Sequence, residues 1–153
     1  KLSGDKISDY LIIKYSLKQL SKLKMKFDYI VYLPPTSPKR NVKHFLDALN
    51  KVINKNLDGA WSVTKIDKKF HPLKVITNNK GHIKLFSTSG KKVIARQMLS
   101  DVFIRNGIFY IFAIKELVKQ KTIYLKKILI SETNYESANI DTQNDLNYAK
   151  KIL

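Results

Sequence analysis

A chain of 153 residues, 44% of them hydrophobic, is long enough for one domain with a sizeable core and too apolar for a disordered polymer. It has no cysteine, which excludes a disulfide framework and thiolate metal sites, and His44, His71 and His82 are scattered without ligand spacing. The formal charge of +17 invites a nucleic-acid reading, but 26 of the 29 basic residues are dispersed lysines, so the charge reads as compositional and nucleic acid is not the expected partner.

Apolar residues at 7, 10, 11, 13, 17, 20 and 23 keep helical spacing, which predicts a first helix over 7–23 capped by Asp5 or Ser8. A short apolar run, Tyr29-Ile30-Val31-Tyr32, predicts a strand that ends in Leu33-Pro34-Pro35-Thr36-Ser37-Pro38-Lys39-Arg40. Three prolines in five residues stiffen that loop and remove backbone donors, leaving Thr36, Ser37 and Arg40 to face a ligand. Val42, Phe45, Leu46, Leu49, Val52 and Ile53 mark a second amphipathic helix. Residues 60–66 read as a strand, and 73–76 and 83–86 flank a turn in a plausible hairpin. A strongly apolar strand over 107–114, a short helix over 115–121, a strand over 125–130 and a last helix from Thr142 complete the order. The apolar run at 108–114 is too short to span a bilayer.

Strands alternating with helices imply a single α/β layered domain with a mostly parallel sheet, from which the hairpin is an excursion. No repeat, linker or low-complexity tract interrupts it. Residues 1–5 contain no apolar stretch of the signal-peptide kind, so a cytoplasmic location and no membrane partner are expected. The chain opens at Lys1 without an initiator methionine, which reads as a piece of something longer, truncated at its N-terminus.

No Walker loop, dinucleotide-binding glycine motif or nucleophile elbow is present. Chemistry therefore concentrates in three stretches, of which the proline loop is the first. The second is Arg96-Gln97 followed by Arg105-Asn106-Gly107 and Tyr110, where guanidinium and amide donors near a strand end suit a carboxylate or an array of sugar hydroxyls. Asn106-Gly107 is equally readable as a turn, and Arg96 as a surface charge. The third is Ser137-Ala138-Asn139-Ile140-Asp141-Thr142-Gln143-Asn144-Asp145. Asn139 and Asp141 point to one side of an extended segment and could hold Mg²⁺ against a phosphate, while Asp141 or Thr142 could simply cap the last helix.

In this order the three stretches resemble the acylneuraminate cytidylyltransferases, or CMP-sialic acid synthetases. Bacterial members of that family show Leu-Gln-Pro-Thr-Ser-Pro-Leu-Arg after a strand, Arg-Gln-Asp-Leu-Pro before Asn-Gly-Ala-Ile-Tyr, and Ser-x-Asp-Ile-Asp-Thr-x-x-Asp near the end. Here the same places read Leu33 to Arg40, Arg96 to Tyr110 and Ser137 to Asp145, with minor matches at Leu2 to Asp5 with Ser8, at Trp61 to Thr64, and at His71-Pro72. The resemblance implies a three-layer, mononucleotide-binding-like architecture of the nucleotide-diphospho-sugar transferase type. It also implies transfer of CMP from CTP to a nonulosonic acid with release of pyrophosphate, Mg²⁺ or Mn²⁺ as cofactor, and a homodimer in which the hairpin region reaches across.

The same resemblance makes Arg96 and Asp141 the catalytic residues, places Arg96, Gln97 and Tyr110 at the sugar, Thr36, Ser37, Arg40 and Ser8 around its pocket, and Asn106-Gly107 at the strand mouth. It places Asp141 with Asn139 at the metal, and Ile123 and Tyr124 where the family often has aromatics that pack on the sugar's N-acyl group from the partner subunit. Four departures accompany it. The family's basic nucleotide loop would lie before Lys1, Pro34 stands in place of a sugar-contacting Gln, Asn139 in place of the first metal-binding Asp, and Met98 and Ser100 in place of the Asp and Pro of the Arg-Gln motif. These departures motivate one alternative, a degenerate, non-catalytic relative used for binding or assembly; the +17 charge motivates a second, a basic nucleic-acid-associated protein on the same fold.

Overall fold

The computed structural model describes residues 7–134 and 139–153. The sequence matches at residues 2–5 and at Ser137-Ala138, and the cap at Asp5, lie outside them. Helix α1 (Asp9–Lys22) begins with an acidic residue, which suits the positive end of the helix dipole, and leads to strand β1 (Tyr29–Tyr32). Helix α2 (Val42–Asn54) buries Ala48 and Val52, four residues apart on one face, and is followed by strand β2 (Gly59–Lys65). Strands β3 (Ile76–Asn79) and β4 (His82–Leu85) form the expected hairpin. Strand β5 (Phe103–Ala113), helix α3 (Ile114–Gln120), strand β6 (Ile128–Glu132) and helix α4 (Gln143–Ile152) follow. Among the described residues no helix is long and apolar enough to cross a membrane.

Strands β1, β5, β2 and β6 form one sheet in that order. It is mixed rather than mostly parallel: β5 lies antiparallel to both neighbours, and only β2 and β6 pair in parallel. The reason is the excursion between β2 and β5. It leaves and returns at one end of the sheet, where the Ile66 N–H donates to the Val102 carbonyl (2.9 Å) and Lys65 faces Phe103. A chain that comes back where it left needs no crossover and enters antiparallel.

Alternation along the strands divides the core between two faces. Ile30, Trp61, Tyr110, Phe112 and Ile128 pack with Ile13 of α1 and Leu117 of α3. Val31, Ala60, Phe109, Ile111 and Leu129 pack with Ala48 and Val52 of α2. Helices therefore cover both faces, and each fully buried Phe or Ile contributes roughly 1.5–3 kcal/mol by removal from water. At Gly59 the backbone passes so near the Ile111 carbonyl that a Cβ has no room.

β5 is longer than the apolar run suggested and is interrupted within. Trp61 faces Tyr110 but Val63 faces Arg105, so extra residues on β5 bulge out between them. Gly107 sits in the bulge at φ +70°, in the left-handed region. The buried Ser62 hydroxyl repairs the broken ladder, donating to the Phe109 carbonyl and accepting from the Phe109 N–H (2.9 Å each). Asn106-Gly107 is thus neither a strand start nor a simple turn.

The excursion packs weakly on the rest. His71 and Leu99 are buried, but Ile83, Phe86 and Ile94 are 69%, 69% and 90% exposed.

Candidate functional site

The carboxyl ends of β1, β2 and β6 and the amino end of β5 meet at one edge of the sheet, and a cleft of about 610 Å³ opens there. Thr36, Asn106, Gly107, Tyr110 and Asn139 line it, drawn from all three chemistry-bearing stretches. Their convergence has a backbone cause. The Ile140 N–H donates to the Thr36 carbonyl (2.8 Å), tying the third stretch to the proline loop. A Cβ on Gly107 would lie 3.3 Å from the Ser37 hydroxyl and 3.9 Å from the Asn139 amide oxygen, so glycine lets all three stretches close together. Ser37 is fully buried behind Gly107, and its hydroxyl has no hydrogen-bond partner among the described residues.

Asp9, Tyr32 and Arg105 also reach the cleft; of these only Arg105 lies in a stretch marked from the sequence, and none was expected as a site residue. The Tyr32 hydroxyl donates to the Asp9 carboxylate (3.3 Å). Burial, and then the negative charge of Asp9, push the Tyr32 phenol above its ordinary value. Burial likewise raises the Tyr110 phenol, against the opposing pull of the Arg105 cation. Both hydroxyls therefore stay protonated at neutral pH and can donate hydrogen bonds. An adjoining cleft of about 350 Å³ shares Asp9 and Arg105 with the first and brings in Ser8 and Tyr124. Ile123 borders that cleft too, but its side chain is buried in the core with Ile13 and Phe112.

Other expected contacts lie elsewhere or have other partners. Arg40 turns inward: its Nε donates to the Ile108 carbonyl (2.9 Å) and its Nη2 to the Pro34 carbonyl, clamping the proline loop onto β5. Arg96 sits in a short 3₁₀ turn on the excursion and pairs with Asp67 (3.1 Å); Gln97 beside it is exposed. Asn106 spends its amide within the fold, donating to Thr64 (3.0 Å) and Thr133 (2.6 Å) and accepting from the Ile108 N–H (3.3 Å). It pins the bulge to the ends of β2 and β6.

Asn139 and Asp141 are adjacent, but the Asn139 amide donates to the Asp141 carboxylate (2.9 Å). Among the described residues no group of three or more His, Asp or Glu side chains could hold a metal ion. Asp141 alone supplies a carboxylate, which fits a Mg²⁺ ion whose remaining ligands come from phosphates and water. Thr142 caps α4 in a reciprocal box with Asp145, whose carboxylate also accepts from the Asp141 N–H (3.2 Å). The hydrogen bond from the Thr142 hydroxyl, then those from the Thr142 and Asp141 backbone, hold the Asp145 carboxyl below its ordinary value.

A larger cleft of about 720 Å³ opens at the opposite edge of the sheet. Its buried Asp58 accepts from the Gln120 amide (3.0 Å) and the Lys127 N–H (3.1 Å) and thereby joins α3 to the start of β6. That carboxylate is committed to the fold, which leaves the cleft at the proline loop as the better site.

The sequence signal for Arg105 was its rarity, as one of three arginines within a stretch already marked. Asp9 and Tyr32 carried no signal, because only the packing of α1 against β1 brings them to the cleft. No protein-family model matches the chain, and no curated protein matches it.

Proposed function

We propose that the chain is a cytidylyltransferase-like domain of the nucleotide-diphospho-sugar transferase type that transfers CMP from CTP to a sialic-acid-like nonulosonic acid. The observation that carries this reading is the meeting in one cleft of Thr36, Gly107, Tyr110 and Asn139 from three separate stretches. Those stretches resemble, in order, the motifs of the acylneuraminate cytidylyltransferases. In this reading the sugar's anomeric hydroxyl attacks the α-phosphate of CTP and pyrophosphate leaves. The Thr36 and Tyr110 hydroxyls orient the sugar, and Asn106 and Arg40 hold the walls of the pocket rather than touching the ligand. Asp141, with Asn139 turned to offer its oxygen, would hold Mg²⁺ or Mn²⁺. When bound, the ion supplies charge neutralisation at the phosphates.

Arg96 and Gln97 stand off the cleft, on the excursion. The exposed apolar side chains of that excursion suit a covered interface. A homodimer in which the excursion of one subunit reaches the cleft of the other would complete the site. One observation favours a non-catalytic binding or assembly role instead: the Asn139 amide faces Asp141 with its donor, leaving a single charge where two carboxylates would grip a metal.

The deciding measurement is pyrophosphate release from CTP by the full-length protein carrying this chain, with neuraminic, legionaminic or pseudaminic acid and Mg²⁺ or Mn²⁺. Release with one of these acids is expected. No release with any of them overturns the catalytic reading in favour of the non-catalytic one.

A further inference from the structure

Arg105 owes its position to the bulge in β5. Residues five apart on a regular strand project to opposite faces. The extra residues around Gly107 change that parity, so Arg105 and Tyr110 both meet Trp61 on the α1/α3 side of the sheet. The Arg105 guanidinium lies 5.3 Å from the centre of the Trp61 ring and 5.2 Å from that of Tyr124. Tyr124 in turn packs edge-on against Trp61 at 5.4 Å. A cation held over aromatic rings by charge–quadrupole attraction gives them no conventional hydrogen bond, so its N–H donors are not spent on those rings. Among the described residues no carboxylate pairs with Arg105 and no oxygen accepts from it.

The cation also stands where the two clefts join, since both are lined by Arg105 and Asp9. A simple anion would meet the Asp9 carboxylate as well as the arginine. A ligand bearing both a carboxylate and hydroxyls satisfies both, giving its acid group to Arg105 and a hydroxyl proton to Asp9.

We propose that Arg105, held between Trp61 and Tyr124 at the junction of the two clefts, anchors the carboxylate of a hydroxylated acid. This makes it a specificity-determining residue in its own right, distinct from Arg96. The inference rests on the nucleotidyl-transfer reading for the class of ligand.

Trp61 is the chain's one tryptophan and touches Arg105, so its emission reports on this contact. N-Acetylneuraminic acid and its methyl ester are titrated into the protein with CTP present and divalent metal chelated, and binding is checked by equilibrium dialysis. The acid is expected to shift Trp61 emission. Arg105→Met, which keeps an apolar chain against the rings but removes the charge, should weaken the acid by about 10- to 100-fold, the size of one charge-assisted hydrogen bond. Arg105→Lys should fall between, and the ester should bind the unaltered protein about as weakly as the acid binds Arg105→Met. Circular dichroism verifies that each variant is folded, and Arg105→Lys carries the comparison if Arg105→Met is not. If the acid binds the variants within about twofold of the unaltered protein, the inference falls and the nucleotidyl-transfer reading stands. If neither method detects binding of the acid, both fall.

Discussion

Gly107 shows how much one residue decides. Its φ of +70° favours glycine, and a Cβ there would stand 3.3 Å from the Ser37 hydroxyl, close enough that the serine would have to shift by a few tenths of an ångström. Gly107→Ala is expected to lower stability by about 1–2 kcal/mol, part from the left-handed backbone and part from the contact. The two parts separate in a double-mutant cycle read by urea denaturation. Ser37→Ala should relieve the contact and recover some of the loss, and purely additive effects would show that the contact costs nothing. Ser62 and Asn106 act at the same scale, since their side chains satisfy backbone and hydroxyl groups that the bulge leaves unpaired. The sequence leads one to expect Arg40 to face a ligand from its place after the proline loop. Its use as a clamp is not legible there, because one of the two carbonyls it binds, that of Ile108, belongs to a bulge 68 positions away that no local pattern encodes.

At the scale of elements, α4 illustrates a motif with one shown role and one proposed. Thr142 and Asp145 form the capping box, as the sequence spacing allowed, while the metal role of Asp141 remains a proposal. Thr142→Ala should cost about 1 kcal/mol, as N-cap losses do, and thermal denaturation by circular dichroism measures it. The pH dependence follows from the Asp145 shift. A carboxyl held below its unfolded value adds stability above that unfolded pKa of about 3.9, and the contribution disappears as pH falls through the lower folded value. The unaltered chain should therefore lose more stability between about pH 5 and pH 2 than Asp145→Asn does. Equal losses would remove the cap from that account. β5 behaves differently from α4. Periodicity found its apolar half, but the run from Phe103 to Arg105 joins the sheet because Val63, Thr64 and Lys65 lie beside it, a pairing no local pattern encodes.

The whole molecule is a sheet covered on both faces with a poorly buried excursion at its side, and the exposed apolar surface of that excursion is where assembly is expected. Charged substitutions at Ile83 and Phe86 should shift the full-length protein from dimer to monomer in sedimentation velocity and leave the domain folded. A monomer before substitution would remove the shared-site arrangement. From the sequence alone came the α/β class, most of the elements, the hairpin and the three stretches whose residues the fold gathers at one cleft, because apolar periodicity, proline and capping residues act within a few positions of themselves. The tertiary structure alone decided that β5 runs against its neighbours, that Arg40 and Asn106 hold the fold, and that Asp9, Tyr32 and Arg105 reach the cleft. The reason is physical: strand direction, bulge and cleft depend on contacts between residues tens of positions apart, such as Ile66 with Val102 and Trp61 with Arg105, and no local preference specifies those partners.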